Sequence, residues 1–269
     1  MSAMTAARPA LARRPVVHVA ARVGLVARGL VYLLLGWLAI RIAVGNGSQQ
    51  ANQKGALATV ASHSGGKALL VGLAIGFAAY ALWRLSEAAF GTSAEGNGAG
   101  ARLKSLVRGL VYVGSCIVAI RFLAGSPGKS QDKQQADLTA RLMQHTGGRW
   151  LVGIIGLVVL GVGIGMAVSG FKRQFTRELQ VERMTPNARK TVIAVGAFGH
   201  VARGVVVALV GVLVIAAAIT TDPKKSTGLD GALRTLADQT MGRLLLGVIA
   251  VGLAAFGAYG LAAAKWART

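Results

Sequence analysis

The sequence predicts an all-α integral membrane protein. It should have six transmembrane helices, arranged as three same-orientation hairpin repeats with pseudo-threefold symmetry. Three observations carry this reading. Of the 269 residues, 54% are hydrophobic and only 14% are charged, with a mean hydropathy of +0.56, whereas a soluble domain carries about 25% charged residues. Six apolar runs, at 22–44, 67–90, 103–124, 149–171, 195–219 and 242–264, have the length needed to cross a hydrocarbon core of about 30 Å. The runs also fall into pairs whose phrasing returns three times, and internal repeats of this kind specify architecture before any local detail.

Residues 1–21 form a basic N-terminal segment with Arg8, Arg13 and Arg14. It resembles a signal-peptide start, but the apolar run behind it recurs downstream, which points to a retained span. Repeat 1 occupies 22–93, repeat 2 occupies 101–175 and repeat 3 occupies 195–269, with a basic linker at 176–194. The first helix of each pair carries "VARGLVYLLLGWLAI" (26–40), "LVRGLVYVGSCIVAI" (106–120) and "VARGVVVALVGVLVI" (201–215), marked by Arg28, Arg108 and Arg203. The second helices open on "HSGGKALLVG", "HTGGRWLVG" and "QTMGRLLLG", and the distance from marker arginine to opening Lys or Arg is 39, 41 and 40 residues. Two spans per repeat make every repeat enter the membrane from the same side, so the symmetry axis should run along the membrane normal.

Between the spans of each pair, "KGALATVAS", "ADLTARLMQ" and "LDGALRTLADQ" place apolar residues at three-to-four spacing and predict short amphipathic helices at the outer interface. Lys and Arg near the span ends number twelve on the side of the 176–194 linker and seven on the side of these short helices. The bias puts both termini in the cytoplasm, with the chain crossing a cytoplasmic (inner) membrane in multiple passes. The formal charge of +21 would suggest nucleic acid in a soluble protein. Here the basic residues lie mostly between apolar runs, so nucleic acid is not expected and anionic lipid headgroups are the simpler partner.

Residues four apart share a helix face. The marker faces read Gly24-Arg28-Tyr32-Gly36, Lys104-Arg108-Tyr112-Cys116 and Gly199-Arg203-Val207-Gly211. Small residues mark close helix approach in membranes, so the arginine face should point into the protein near its cytoplasmic end. These positions, Arg28, Arg108, Arg203, Tyr32, Tyr112 and Lys104 with His200, are the expected lipid- or anion-binding set. Glu87 lies at the depth of Arg28 and is its expected ion-pair partner, while Gly24, Gly36, Gly72, Gly76, Gly161, Gly165 and Gly211 are expected packing positions, the middle four as GxxxG pairs. The plain alternative is that the arginines only snorkel to headgroups.

The phrases "ARVGLVARGLVY", "LVRGLVY", "GHVARG", "GGRWLVGIIGL" and "GFAAYALWRLSEA" resemble the bacterial membrane family known as domain of unknown function 1206. Its members carry three copies of a two-helix module. The resemblance covers nearly the whole chain and implies the fold without implying an activity. The third repeat departs from it by placing Val207 where the others have tyrosine.

Catalytic chemistry is not expected. No nucleophile–base pair, paired intramembrane carboxylates or metal spacing is present, and the lone Cys116 forms no intrachain disulfide or cysteine metal site. His63 and His145 match in position, but repeat 3 has Gln239 there, so structural histidines are expected and no cofactor is implied. "GVGIG" at 161–165 lacks a lysine and follows no strand, which excludes a phosphate loop. Trp37, Trp83, Trp150 and Trp266 fall near span ends, where interfacial anchors sit. The leading expectation is a structural, anionic-lipid-binding or accessory membrane protein. The alternatives are a small transporter or channel for an anionic solute along the pseudo-threefold axis, and an accessory subunit packed on a larger membrane-protein complex.

Overall fold

The computed structural model describes residues 15–46, 49–90, 98–126, 128 and 130–266. Arg8, Arg13, Arg14, Lys129 and Arg268 lie outside the described residues. Six helices are long and apolar enough to cross a membrane: α1 (Pro15–Ala43), α3 (Gly66–Phe90), α4 (Ala99–Leu123), α6 (Gly148–Phe171), α7 (Pro186–Thr220) and α9 (Gly242–Trp266). Between them lie the short helices α2 (Gln53–Ala61), α5 (Gln131–Met143) and α8 (Leu229–Ala237). An α-helix satisfies its own backbone donors and acceptors, as lipid demands. The chain is a multi-pass membrane protein by this architecture.

The recurring glycine turn before each second helix has one physical cause. A Cβ on Gly66, Gly148 or Gly242 would land on the carbonyl oxygen of Val60, Leu142 or Leu236, the end of the preceding short helix. The residue before it is left-handed in all three repeats: Gly65 (φ 82°), Gly147 (φ 80°) and Met241 (φ 60°). Met241 takes that conformation with a side chain, which costs about 1–2 kcal/mol.

Neighbouring helices follow the order α4, α3, α1, α9, α7, α6, an open arc. The tightest interfaces do not join the two helices of a repeat. They join one repeat to the next, as α3 with α4, α6 with α7, and α9 with α1. Within repeats 1 and 3 the two helices also touch, but α4 and α6, the two spans of repeat 2, do not pack along each other.

Backbones meet through small residues. A Cβ on Gly36 would lie 2.7 Å from Ala254 N, one on Gly257 2.6 Å from Leu33 N, and one on Gly211 2.5 Å from Leu160 N. Where lipid removes any solvophobic drive, such packing is what holds helices together. Gly24 and Gly76 also pack tightly, on Tyr80 and Ala27. Gly72, Gly161 and Gly165 do not; each is exposed with open space beside it. The expectation for these three is corrected. The contact stripe of α6 is Gly156, Gly163 and Gly170, with Gly163 midway between the two glycines of the GxxxG pair.

The centre of the arc is filled. Leu35, Leu38, Leu73, Phe77, Leu246 and Leu253 form one cluster with Leu57 of α2 and Leu233 of α8, so the apolar faces of these two short helices pack into the core. Helix α5 lies further out, with Leu138 exposed. Hydrogen bonds lock this end. Asp230 Oδ1 accepts from Ala51 N at 2.7 Å, and Asp132 accepts from Gly228 N and Gly231 N, each at 3.1 Å.

At the opposite end, the expected 176–194 linker is shorter than predicted. Two 3-10 turns, Gln174–Glu178 and Val181–Arg183, fold across the helix ends, and α7 begins at Pro186. Thr185 caps it, accepting from Ala188 N at 3.4 Å. Thr-Pro is a helix-start signature readable from sequence. Leu179 and Phe175 of the turns are buried with Leu25, Tyr80 and Tyr259 in a second cluster.

Candidate functional site

The site is built where the marker helices meet this folded linker. Arg28 on α1 sits between two rings, its Cζ 5.3 Å from the centroid of Phe256 and 5.8 Å from that of Tyr80. Its Nη1 donates to Tyr80 Oη at 3.4 Å. Arg203 on α7 approaches the same Phe256 at 4.9 Å and Tyr32 at 5.3 Å. One aromatic ring of α9 thus bridges the guanidinium groups of repeats 1 and 3. The Nε atoms of both arginines are buried and have no hydrogen-bond partner.

Arg84 on α3 is 4% exposed and belongs to the same cluster. Its Nε and Nη2 donate to Tyr80 Oη at 3.1 and 3.0 Å, its Nη1 donates to Glu87 Oε2 at 2.8 Å, and Trp83 covers it at 4.3 Å. The expected pairing is therefore corrected. Glu87 pairs with Arg84, one helical turn away, and Arg28 uses the Tyr80 hydroxyl instead. Trp83 is a lid on a guanidinium rather than a free interfacial anchor.

Arg108 joins through the linker, with Nη1 3.6 Å from Glu178 Oε1, both groups about one-third exposed. One turn further along α4, Tyr112 packs on Tyr80 at 4.3 Å between ring centroids. Lys104, one turn before Arg108 on α4, is exposed. His200 stacks on Phe175 of the linker at 4.5 Å, with Phe256 and Tyr259 edge-on at 4.9 Å each. Its Nδ1 donates to Gly196 O at 2.7 Å. His63 and His145 both donate Nδ1 to the carbonyl four residues earlier, at Thr59 and Arg141, and so finish α2 and α5.

Sequence reasoning missed Tyr80, Arg84 and Phe256. A signal existed. Tyr80 and Phe256 both fall thirteen residues after the basic residue that opens their helix, and the same position in repeat 2 is Val162. Arg84 lies four residues after Tyr80, on the same face.

Of the named groups, four guanidiniums (Arg28, Arg84, Arg108, Arg203) face two carboxylates (Glu87, Glu178). Aromatic faces stabilise a cation by about 0.5–2 kcal/mol each, which offsets burial without supplying negative charge. Among the described residues, Arg84 and Arg108 pair with Glu87 and Glu178, while Arg28 and Arg203 meet aromatic faces.

A family model for the Domain of Unknown Function DUF1206 matches this chain three times, over residues 23–91, 103–173 and 198–267. The chain belongs to this family. A Bacillus subtilis (strain 168) relative, the uncharacterized protein YxxB, is 30% identical over 243 residues, covering 89% of this chain and 87% of the relative. No solved structure matches. Each matched segment of this DUF1206 chain contains one marker arginine and one glycine turn, and the first segment adds Arg84 to the cluster as well.

Proposed function

We propose that this DUF1206 protein is a non-catalytic component of the bacterial inner membrane that binds the phosphate of an anionic lipid in its arginine–aromatic cluster. The three repeats are related by a pseudo-threefold axis along the membrane normal, broken at repeat 2. The linker end faces the cytoplasm together with both termini. The Lys and Arg bias toward the linker side supports this orientation.

One observation carries the binding reading: four guanidiniums against two carboxylates, with the Nε atoms of Arg28 and Arg203 desolvated and unpartnered. A buried polar group without a partner costs about 1–3 kcal/mol, and a phosphate with several acceptor oxygens offsets that cost. The leucine-rich core across the arc favours this reading over a solute path along the axis, because the axis is occupied by side chains.

The test is lipid analysis of gently purified protein by native mass spectrometry. Wild type is expected to retain an anionic phospholipid that the Arg28→Gln/Arg203→Gln double variant loses. Equal lipid retention by a folded double variant removes the proposal.

A further inference from the structure

The cluster is closed on most sides. Phe175, Leu179 and Met184 of the linker cover its end, and the leucine core with the short helices packed into it closes the other direction. Five seams of the arc are packed, three between repeats with close approach at glycines and two within repeats 1 and 3. The sixth, between α4 and α6, is not packed. These two helices bury only 17% each of their most apolar stretch, against 39–50% for the other four. Helix α6 also lacks the aromatic that its counterparts place at the cluster, having Val162 in line with Tyr80 and Phe256. The opening and the missing ring fall in the same repeat.

Resting on the function proposed above, we infer that the ligand enters the cluster sideways from the bilayer through the seam between α4 and α6. It is a phospholipid whose headgroup phosphate is held by Arg28 and Arg203 and whose acyl chain lies in the seam. Helices α4 and α6 leave their apolar lengths unpacked against each other, and Arg108 and the exposed Lys104 stand at the linker end of α4. A lipid matches both parts at once, an apolar chain below a phosphate. A second copy of this chain matches poorly, since each carries a net charge of +21 and would bring like charge to the basic end.

The experiment uses the full chain in nanodiscs containing phosphatidylglycerol with a photoactivatable acyl chain, followed by peptide mapping of adducts. Adducts are expected on α4 and α6, competed by unlabelled phosphatidylglycerol and not by phosphatidylcholine or millimolar inorganic phosphate. The double variant Arg28→Gln/Arg203→Gln should reduce them about tenfold, the equivalent of losing one charge-assisted contact. Adducts spread evenly over all six spans, competition by inorganic phosphate, or a lipid-free dimer joined at α4 and α6 each overturns the inference. The wild-type competition decides the matter even if the variant misfolds. Arginine-dependent retention of lipid with adducts away from α4 and α6 removes the lateral seat and leaves the proposed function intact, whereas absence of any retained anionic lipid removes both.

Discussion

Alanine placed at glycines of the α6–α7 interface should separate sharply from alanine placed at the outward-facing glycines of α6. A Cβ on Gly204 would lie 2.8 Å from both Ala167 Cα and Gly163 O, and one on Gly211 2.5 Å from Leu160 N. Ordinary contact begins at 3.4 Å, and the obstructing atoms are backbone that cannot swing aside. The helices must part by roughly 0.6–0.9 Å along the seam, and overpacking of this kind costs about 1–3 kcal/mol. Removing a helical glycine returns about 0.5–1 kcal/mol, leaving a net loss of about 1–2 kcal/mol. Gly161→Ala and Gly165→Ala meet nothing within 4 Å and should gain that same 0.5–1 kcal/mol, roughly. The two classes should differ in melting temperature by about 4–8 °C at this chain length, read by circular dichroism in detergent. Gly204→Ala and Gly211→Ala melting with Gly161→Ala would refute the assigned packing face.

Met241→Gly should raise stability by roughly 0.5–1 kcal/mol by relieving its left-handed backbone, while Gly65→Met should do the reverse; thermal melts compare them directly. Tyr80→Phe removes the acceptor shared by Arg28 and Arg84 and should destabilise by about 1–3 kcal/mol, whereas Tyr32→Phe, which offers Arg203 only a ring face, should be near neutral. Asp132→Ala strips α8 of two first-turn acceptor contacts and should cost about 1–2 kcal/mol, visible as faster amide exchange at Gly228 and Gly231. Burial and the nearby Asp230 carboxylate raise the pKa of Asp132 above its ordinary value. Its ionised form is therefore disfavoured by folding, and the native state takes up the proton first. Wild type should gain stability relative to Asp132→Asn as pH falls from 7 through that raised pKa, and a difference that moves the other way would show that the two backbone donors outweigh burial.

The spans were legible because lipid imposes a single rule, a run of apolar residues long enough to cross. The glycine turns were legible because each repeat needs the same backbone approach. The partners of the arginines were not. Glu87 and Arg28 match in depth, but depth along the membrane says nothing about rotation around a helix. Tyr80 and Arg84 were hidden for a related reason: an aromatic and a cation inside an apolar run read as lipid-facing or interfacial until the neighbouring helix is known. The glycine register of α6 failed similarly, since Gly156, Gly161, Gly163, Gly165 and Gly170 offer several stripes and only α7 selects one.

The pairing of α1 with α9 has a consequence for synthesis. Of the six spans described, the earliest in chain order takes as its tightest neighbour the latest, so Gly29 and Gly36 are made long before Gly257 and Ala254, which cover them. Nascent hairpins must therefore persist in the bilayer with their adhesive surfaces bare. A chain stopped before residue 242 would leave α1 without the helix that covers its glycine face.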